Sequence, residues 1–127
     1  NKLSPADELP YLAGFLDGEG SFSASRGAIS IRCTNTHVAS LRRLEAKWGG
    51  NVRLHSLRKG HRACWQWVLY SESAVKALRD LIPYLGEKRM QALMLLEYRK
   101  TKPRDPVRGW IVGQLSVLKR LETLPLG

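Results

Sequence analysis

The sequence predicts an α+β domain in which two β-hairpins build one antiparallel four-stranded sheet, with helices covering one of its faces. Three observations carry this. Residues 21–34 and 51–70 each show an apolar/polar period of two folded around a turn, whereas the stretches before, between and after them show helical spacing. Turn or capping residues mark the changes of period: Gly20, Thr36, Gly49-Gly50, Ser71. The resulting order is helix, hairpin, helix, hairpin, helix, followed by more helix.

The first helix has two candidate starts, Ser4 with Pro5 as its first residue, or Asp7 with Pro10 still inside the first turn, where a missing N–H does no harm. A start at Ser4 puts Pro10 in the interior, so the reading places the helix from Asp7 to about Asp17. Beyond it, Ser21, Ser23 and Ser25 alternate with Phe22 and Ala24; after the Arg26-Gly27 turn, Ile29, Ile31 and Cys33 alternate with Ala28, Ser30, Arg32 and Thr34. One face of this hairpin is apolar, the other polar and basic. Thr36 is the expected N-cap of the second helix, Val38, Leu41, Leu44 and Trp48 its buried stripe, and Arg42, Arg43 and Lys47 its outer face. The second hairpin runs from Asn51 to Leu57, turns at Arg58-Lys59-Gly60 and returns from about Arg62 to Tyr70. Its return strand sets Trp65, Trp67 and Leu69 against Arg62, Cys64, Gln66 and Val68. Ser71 is read as the cap of a third helix with Ala74, Val75, Leu78 and Ile82 inside, stopped by Pro83. A fourth, Glu87 to about Lys100, holds Met90, Leu93, Met94 and Leu96. After the break between Pro103 and Pro106, Trp110, Ile111, Val112, Leu115, Leu118 and Leu121 give a last helix before Leu124-Pro125.

Size and charge narrow the function. At 127 residues the chain reads as one domain, residues 1–127, long enough for a modest core. The 21 Lys+Arg against 11 Asp+Glu give +10 and a pI near 10.1, so the expected partner is a polyanion, nucleic acid first. A membrane surface comes second, but no apolar run approaches the ~20 residues of a spanning helix. Two cysteines, Cys33 and Cys64, with no C-x-x-C, indicate neither a disulfide framework nor a zinc site and fit a reducing compartment. The chain begins at Asn1 rather than a methionine and is silent on any targeting segment.

One stretch fits poorly as an ordinary helix end: Leu12-Ala13-Gly14-Phe15-Leu16-Asp17-Gly18-Glu19-Gly20. Gly14 and Gly18, four apart, leave one helix face nearly bare backbone at a cost of roughly 0.5–1 kcal/mol per glycine relative to alanine. A bare face suits the close approach of another helix. Asp17 and Glu19 stand at the negative end of the helix dipole, a placement that a bound cation would make favourable. Gly20 is the residue where a left-handed backbone turn is expected.

In the order of elements just described, Leu12 to Gly20 closely resembles the signature of the LAGLIDADG homing endonucleases, with Phe15, Leu16, Gly18 and Glu19 as variations within it. The resemblance extends to Asn35, which follows the second strand where the family often has a polar side chain near the site's solvent. It also includes Pro83-Tyr84-Leu85-Gly86-Glu87-Lys88-Arg89, similar to the segment leading to an active-site lysine. It covers about residues 7–98.

The resemblance implies the αββαββα fold, with a saddle-shaped antiparallel sheet and an extra C-terminal helix. It implies a site-specific endonuclease that hydrolyses both strands of a long, near-palindromic double-stranded DNA target, with no small-molecule substrate. A single motif implies a homodimer contacting through Leu12, Ala13, Gly14, Leu16, Asp17 and Gly18. Two pooled Glu19 carboxylates with the Gly18 backbone carbonyl form an oxygen nest that suits Mg²⁺, with Mn²⁺ or Ca²⁺ able to occupy the same site. Glu19, Lys88 and Asn35 are the implied catalytic residues, and Asp17, mainly structural in the family, is the weaker metal ligand.

Sequence recognition falls to the polar sheet face and turns. The residues there are Ser21, Ser23, Ser25, Arg26, Ser30, Arg32 and Thr34 with Asn51, Arg53, His55, Arg58, Lys59, Arg62 and Gln66. Trp48, Trp65 and Trp67 are read as core, and His37, His55 and His61 lack the spacing of a histidine–metal nuclease. The competing reading is a non-catalytic relative, an RNA maturase or a DNA-binding regulator; retention of Glu19 and Lys88 speaks against it. A third reading is half of a split protein that needs a different partner chain.

Overall fold

A computed structural model of the protein describes residues 4–123. The chain runs α1 (Pro5–Glu19), β1 (Gly20–Ser25), β2 (Ala28–Asn35), α2 (Val38–Trp48), β3 (Asn51–Ser56), β4 (Cys64–Tyr70), α3 (Ser71–Leu81), α4 (Arg89–Lys100) and α5 (Pro106–Thr123), with a 3₁₀ turn at Ile82–Tyr84 after α3. The four strands make one antiparallel sheet in the order β1-β2-β4-β3.

The register assigns each side chain to a face. Phe22 pairs with Ile31, Ile31 with Leu69, Cys33 with Trp67, and Trp67 with Val52. These positions lie under the helices, and Phe22, Ile29, Ile31 and Trp67 are fully buried with Leu12, Leu16, Leu41, Leu44 and Leu78 in one core. Burying a large apolar side chain is worth about 1.5–3 kcal/mol, so this one-sided alternation fixes the register, because a one-residue slip would turn every strand over. The other face carries Ser21, Ser23, Ser25, Ser30, Arg32 and Thr34, then Gln66, Asn51 and Arg53.

Three element boundaries differ from the sequence reading. α1 starts at Pro5, two residues early, with Ser4 as N-cap and Pro10 inside the helix. Part of the cost is relieved because Pro10 and Ala6, whose carbonyl loses its helical donor, are both exposed, so water can take that donor's place. At α2 the cap is His37, not Thr36: the Asn35 Oδ1 accepts the His37 N–H at 2.8 Å and the His37 ring contacts Ser40 Oγ at 3.1 Å. β4 passes into α3 without a linker, so Tyr70 is the N-cap and Ser71 takes the left-handed φ of 53° that makes the corner.

The second hairpin is shorter than expected, ending at Ser56 and resuming at Cys64, which leaves Leu57, Arg58, Lys59 and Arg62 in its connection. Gly50 is there for a reason, at φ +88° with space for a Cβ closed by Val68 O at 2.5 Å and Trp67 Nε1 at 2.9 Å. The largest correction is the face of α4, which begins at Arg89. Met90 and Leu93 are exposed and Met94 and Leu96 half-buried, whereas Gln91, Ala92, Leu95 and Tyr98 are buried. The inward stripe contains two polar residues, Lys88 and Gln91, so apolar spacing alone chose the wrong side. In α5, Ile111 and Leu115 are buried while Trp110 and Leu121 face solvent. The Leu124-Pro125 stop lies outside the described residues.

Candidate active site and nucleic-acid face

The C-terminal end of α1 is held by the loop before α4. Asp17 accepts backbone N–H bonds on both carboxylate oxygens, from Gly86 at 2.7 Å and Lys88 at 3.0 Å. Charge-assisted bonds of this kind are about twice as strong as neutral ones, and with both oxygens committed, Asp17 acts as a structural clasp. The Lys88 side chain runs the other way: its Nζ donates to the Asp17 backbone oxygen at 2.7 Å and sits 3.5 Å from the Glu122 carboxylate. Only 6% exposed, this ammonium lies at the negative end of α1, where a cation is stabilised.

Glu19 contrasts with both. It is the last residue of α1, exposed, and in no ion pair among the described residues. Gly20 follows with φ −84°, extended rather than left-handed as expected. Its glycine is demanded by close approach instead, since a Cβ there would lie 2.7 Å from the Leu16 carbonyl oxygen. Gly20→Ala should therefore destabilise the fold by about 1–3 kcal/mol through forced backbone shift, read as a lower urea midpoint at unchanged m-value. An unchanged midpoint would show that the junction relaxes freely.

Cys33 pairs with Gly20 across the hairpin and forms the floor beside this junction. Burial pushes its thiol up to about 12, with the Glu19 charge adding to the rise and Lys88 opposing it. The thiol is protonated at neutral pH and is no nucleophile.

α5 brings residues that sequence reasoning missed. Glu122 accepts from Gln91 Nε2 at 2.5 Å, and Lys119 Nζ donates to Ser23 Oγ at 3.1 Å. Gln91 had a signal in sequence, one turn after Lys88 on the same helix face; Lys119 and Glu122 had none, because their partners are far away along the chain.

The remaining expected residues separate by location. Asn35 lies on the core side of β2, opposite Trp65, two positions past Cys33, with its carboxamide oxygen engaged by His37. The open face collects Ser21, Ser23, Ser25, Arg32, Thr34, Gln66, Asn51 and Arg53, whereas Ser30, expected there as a reading residue, shares the face by register but is buried at 8% exposure; Gln66 donates to Thr34 Oγ1 at 3.2 Å, and Arg32 lies over Tyr70. A register shift between Leu54 and Ser56 leaves His55 unpaired, so alternation does not assign it to a face. Arg26 occupies the first turn at φ 51°, tied to the helices through Gly27 N donating to Tyr98 Oη at 2.8 Å. Arg58, Lys59 and Arg62 are exposed in the other turn.

The expected dimer face also divides. Leu12, Ala13 and Leu16 are buried in this chain's own core, at 0–1% exposure. Gly14 and Gly18 are exposed with open space where a side chain would stand, and Asp17 is spent on the clasp. The open face of α1 is thus Asp7, Tyr11, Gly14 and Gly18, with Arg43 stacked over Tyr11.

Among the described residues no three His, Cys, Asp or Glu side chains gather as a metal site. Among the described residues, one chain offers the carboxylate of Glu19, in no ion pair, beside the carbonyls of a helix end. That oxygen-only set has the right chemistry for a hard divalent cation but too few ligands, and a second copy of the helix end would complete it.

A four-stranded open sheet in the order β1-β2-β4-β3, with a helix ending in a paired Asp and Glu at its first strand, defines the LAGLIDADG homing-endonuclease fold. Solved structures establish the likeness. I-CvuI in complex with its target in the presence of calcium superposes at a TM-score of 0.70 and 23% identity, over 91% of this chain and 85% of that one. The archaeal intron-encoded I-Vdi141I complexed with DNA gives 0.60 at 14% identity, over 92% and 99%. The I-SmaMI LAGLIDADG homing endonuclease bound to cleaved DNA gives 0.65 at 19% identity, over all of this chain and 51% of that one. No protein-family model and no curated protein matches the sequence.

Proposed function

We propose that this chain is one single-domain subunit of a homodimeric, divalent-metal-dependent homing endonuclease that cuts both strands of a long, near-palindromic DNA target. The observation that carries the reading is the foot of α1. There an exposed Glu19 sits beside a buried Lys88, below a helix face of two bare glycines and next to an open polar and basic sheet face. The solved neighbours are described in complex with DNA, one of them with its target in calcium and another bound to cleaved DNA, which supports DNA as the polyanion that a charge of +10 calls for.

Each residue has a task in this reading. Two Glu19 carboxylates, brought together by the paired helices, would hold the ion with the Gly18 carbonyls, an oxygen-only set that Mg²⁺ would fit best. The chemistry the ion supplies when bound is activation of a water and neutralisation of charge at the phosphate. Lys88 stabilises the negative charge that develops as the phosphodiester breaks, its ammonium already desolvated and oriented. Asn35, its oxygen committed to His37, has its NH₂ to offer the solvent network. The open sheet face reads bases in the major groove, and Arg26, Arg58, Lys59 and Arg62 reach from the turns.

The test is cleavage of a randomised duplex library with Mg²⁺ and with chelator. The expected result is double-strand cutting of one family of near-palindromic sequences that stops when metal is removed. Binding without metal-dependent nicking would favour the non-catalytic reading, and an inactive monomer would favour the split-protein reading.

A further inference from the structure

α5 lies outside the two hairpin units, yet two of its side chains end beside Lys88. The Glu122 carboxylate serves the Lys88 ammonium and the Gln91 amide, and Lys119, one turn earlier, is held by Ser23. One carboxylate thus faces two ammonium groups, a half-buried and a buried one. Gln91, at 1% exposure, leaves its Oε1 without a hydrogen-bond partner among the described residues. Burying charge without full compensation is costly, and among the described residues Lys88 has an ion-pair partner in Glu122 whereas Lys119 has only the Ser23 hydroxyl.

Its position indicates what completes it. Ser23 pairs with Ser30 on the open face of the sheet, while its neighbours Phe22 and Ala24 pair with Ile31 and Ile29 beneath the helices. β1 is an edge strand, so a side chain from α5 can pass its edge and reach the open face. Desolvation lowers the Lys119 pKa, Glu122 opposes that and Lys88 reinforces it, as expected of an ammonium short of counter-charge.

We propose that Lys119 is a phosphate-binding residue of the DNA face, delivered by α5, seated on Ser23, and adjoining Lys88 through their shared counter-charge Glu122. This rests on the nucleic-acid reading above. A backbone phosphate oxygen accepts from the ammonium and supplies the ion pair that Lys119 lacks among the described residues, next to the site where Glu19 and Lys88 act.

The experiment uses the full chain and a mixed-sequence DNA duplex, with affinity measured against salt for wild type, Lys119→Gln, Lys119→Arg and Glu122→Gln. Each lost phosphate contact lowers the slope of log K against log salt by about 0.9. Lys119→Gln should lose about that much per bound chain and weaken all sequences alike, Lys119→Arg should restore it, and Glu122→Gln should keep the wild-type slope. A wild-type slope in Lys119→Gln overturns the proposal, as does a parallel loss in Glu122→Gln with a lowered melting temperature, which would make the cluster a structural brace. If the wild type shows no salt-dependent duplex binding, the nucleic-acid reading falls as well, an outcome distinct from a slope unchanged by the lysine substitution alone.

Discussion

Glu19→Gln should abolish metal-dependent cleavage while leaving duplex binding intact. The substitution keeps the size and hydrogen-bonding reach of the side chain and removes its charge. Glu19 is exposed and in no ion pair among the described residues, so the change in stability should stay within about 0.5 kcal/mol. The loss of rate should be large. A bound metal contributes several kcal/mol of transition-state stabilisation, and each 1.36 kcal/mol is tenfold, so a fall of about 10³-fold or more is expected. Single-turnover cutting with excess protein separates this from a binding defect. Unimpaired cutting would sink the assignment of Glu19; loss of binding together with cutting would make it a contact residue instead. Lys88 offers no such clean test, because its removal leaves the part-buried Asp17 carbonyl without its donor and Glu122 without its ammonium, and costs stability along with rate.

Much of this fold was legible because each strand has one face in the core. Phe22, Ile29, Ile31, Trp67 and Leu69 alternate with polar residues, and that alternation has a single solution once the face is buried. Legibility failed where polar groups go inside or where local rules compete. Met90 and Leu93 outbid Gln91 and Lys88 as candidates for the inner face of α4, because nothing local says that a lysine will find a helix end seventy-one residues away. Pro10 argues for a late start of α1, yet it stands inside the helix, where it and Ala6 both face water. Gly20 was read as a left-handed stop and is instead a contact with Leu16. At the candidate site, the motif points to Asp17, Glu19 and Lys88, and the structure brings Lys88 to Asp17 at the end of α1 that Glu19 closes. Nothing in the sequence points to Lys119 and Glu122, since their contacts are set by how α5 docks on α4 and β1.

The two glycines of α1 allow a prediction in which stability and assembly move in opposite directions. Nothing lies within 4 Å of the place a Cβ would take at Gly14 or Gly18, so within one chain a side chain there is free of clash and improves the helix. Gly→Ala in a helix interior gains about 0.8–1.0 kcal/mol. If the face is only surface, Gly14→Leu should raise or preserve the melting temperature and leave everything else alone. If it is the contact that brings two Glu19 carboxylates together, Leu at the point of closest backbone approach wedges the helices apart. We expect the second outcome: a shift from dimer to monomer on sizing, cleavage lost, and a chain that remains folded by circular dichroism. Gly18→Leu, one turn nearer the site, should do the same. A Gly14→Leu protein that stays dimeric and cuts at the wild-type rate would remove α1 from the interface, and the proposal that a second copy completes the Glu19 site would go with it.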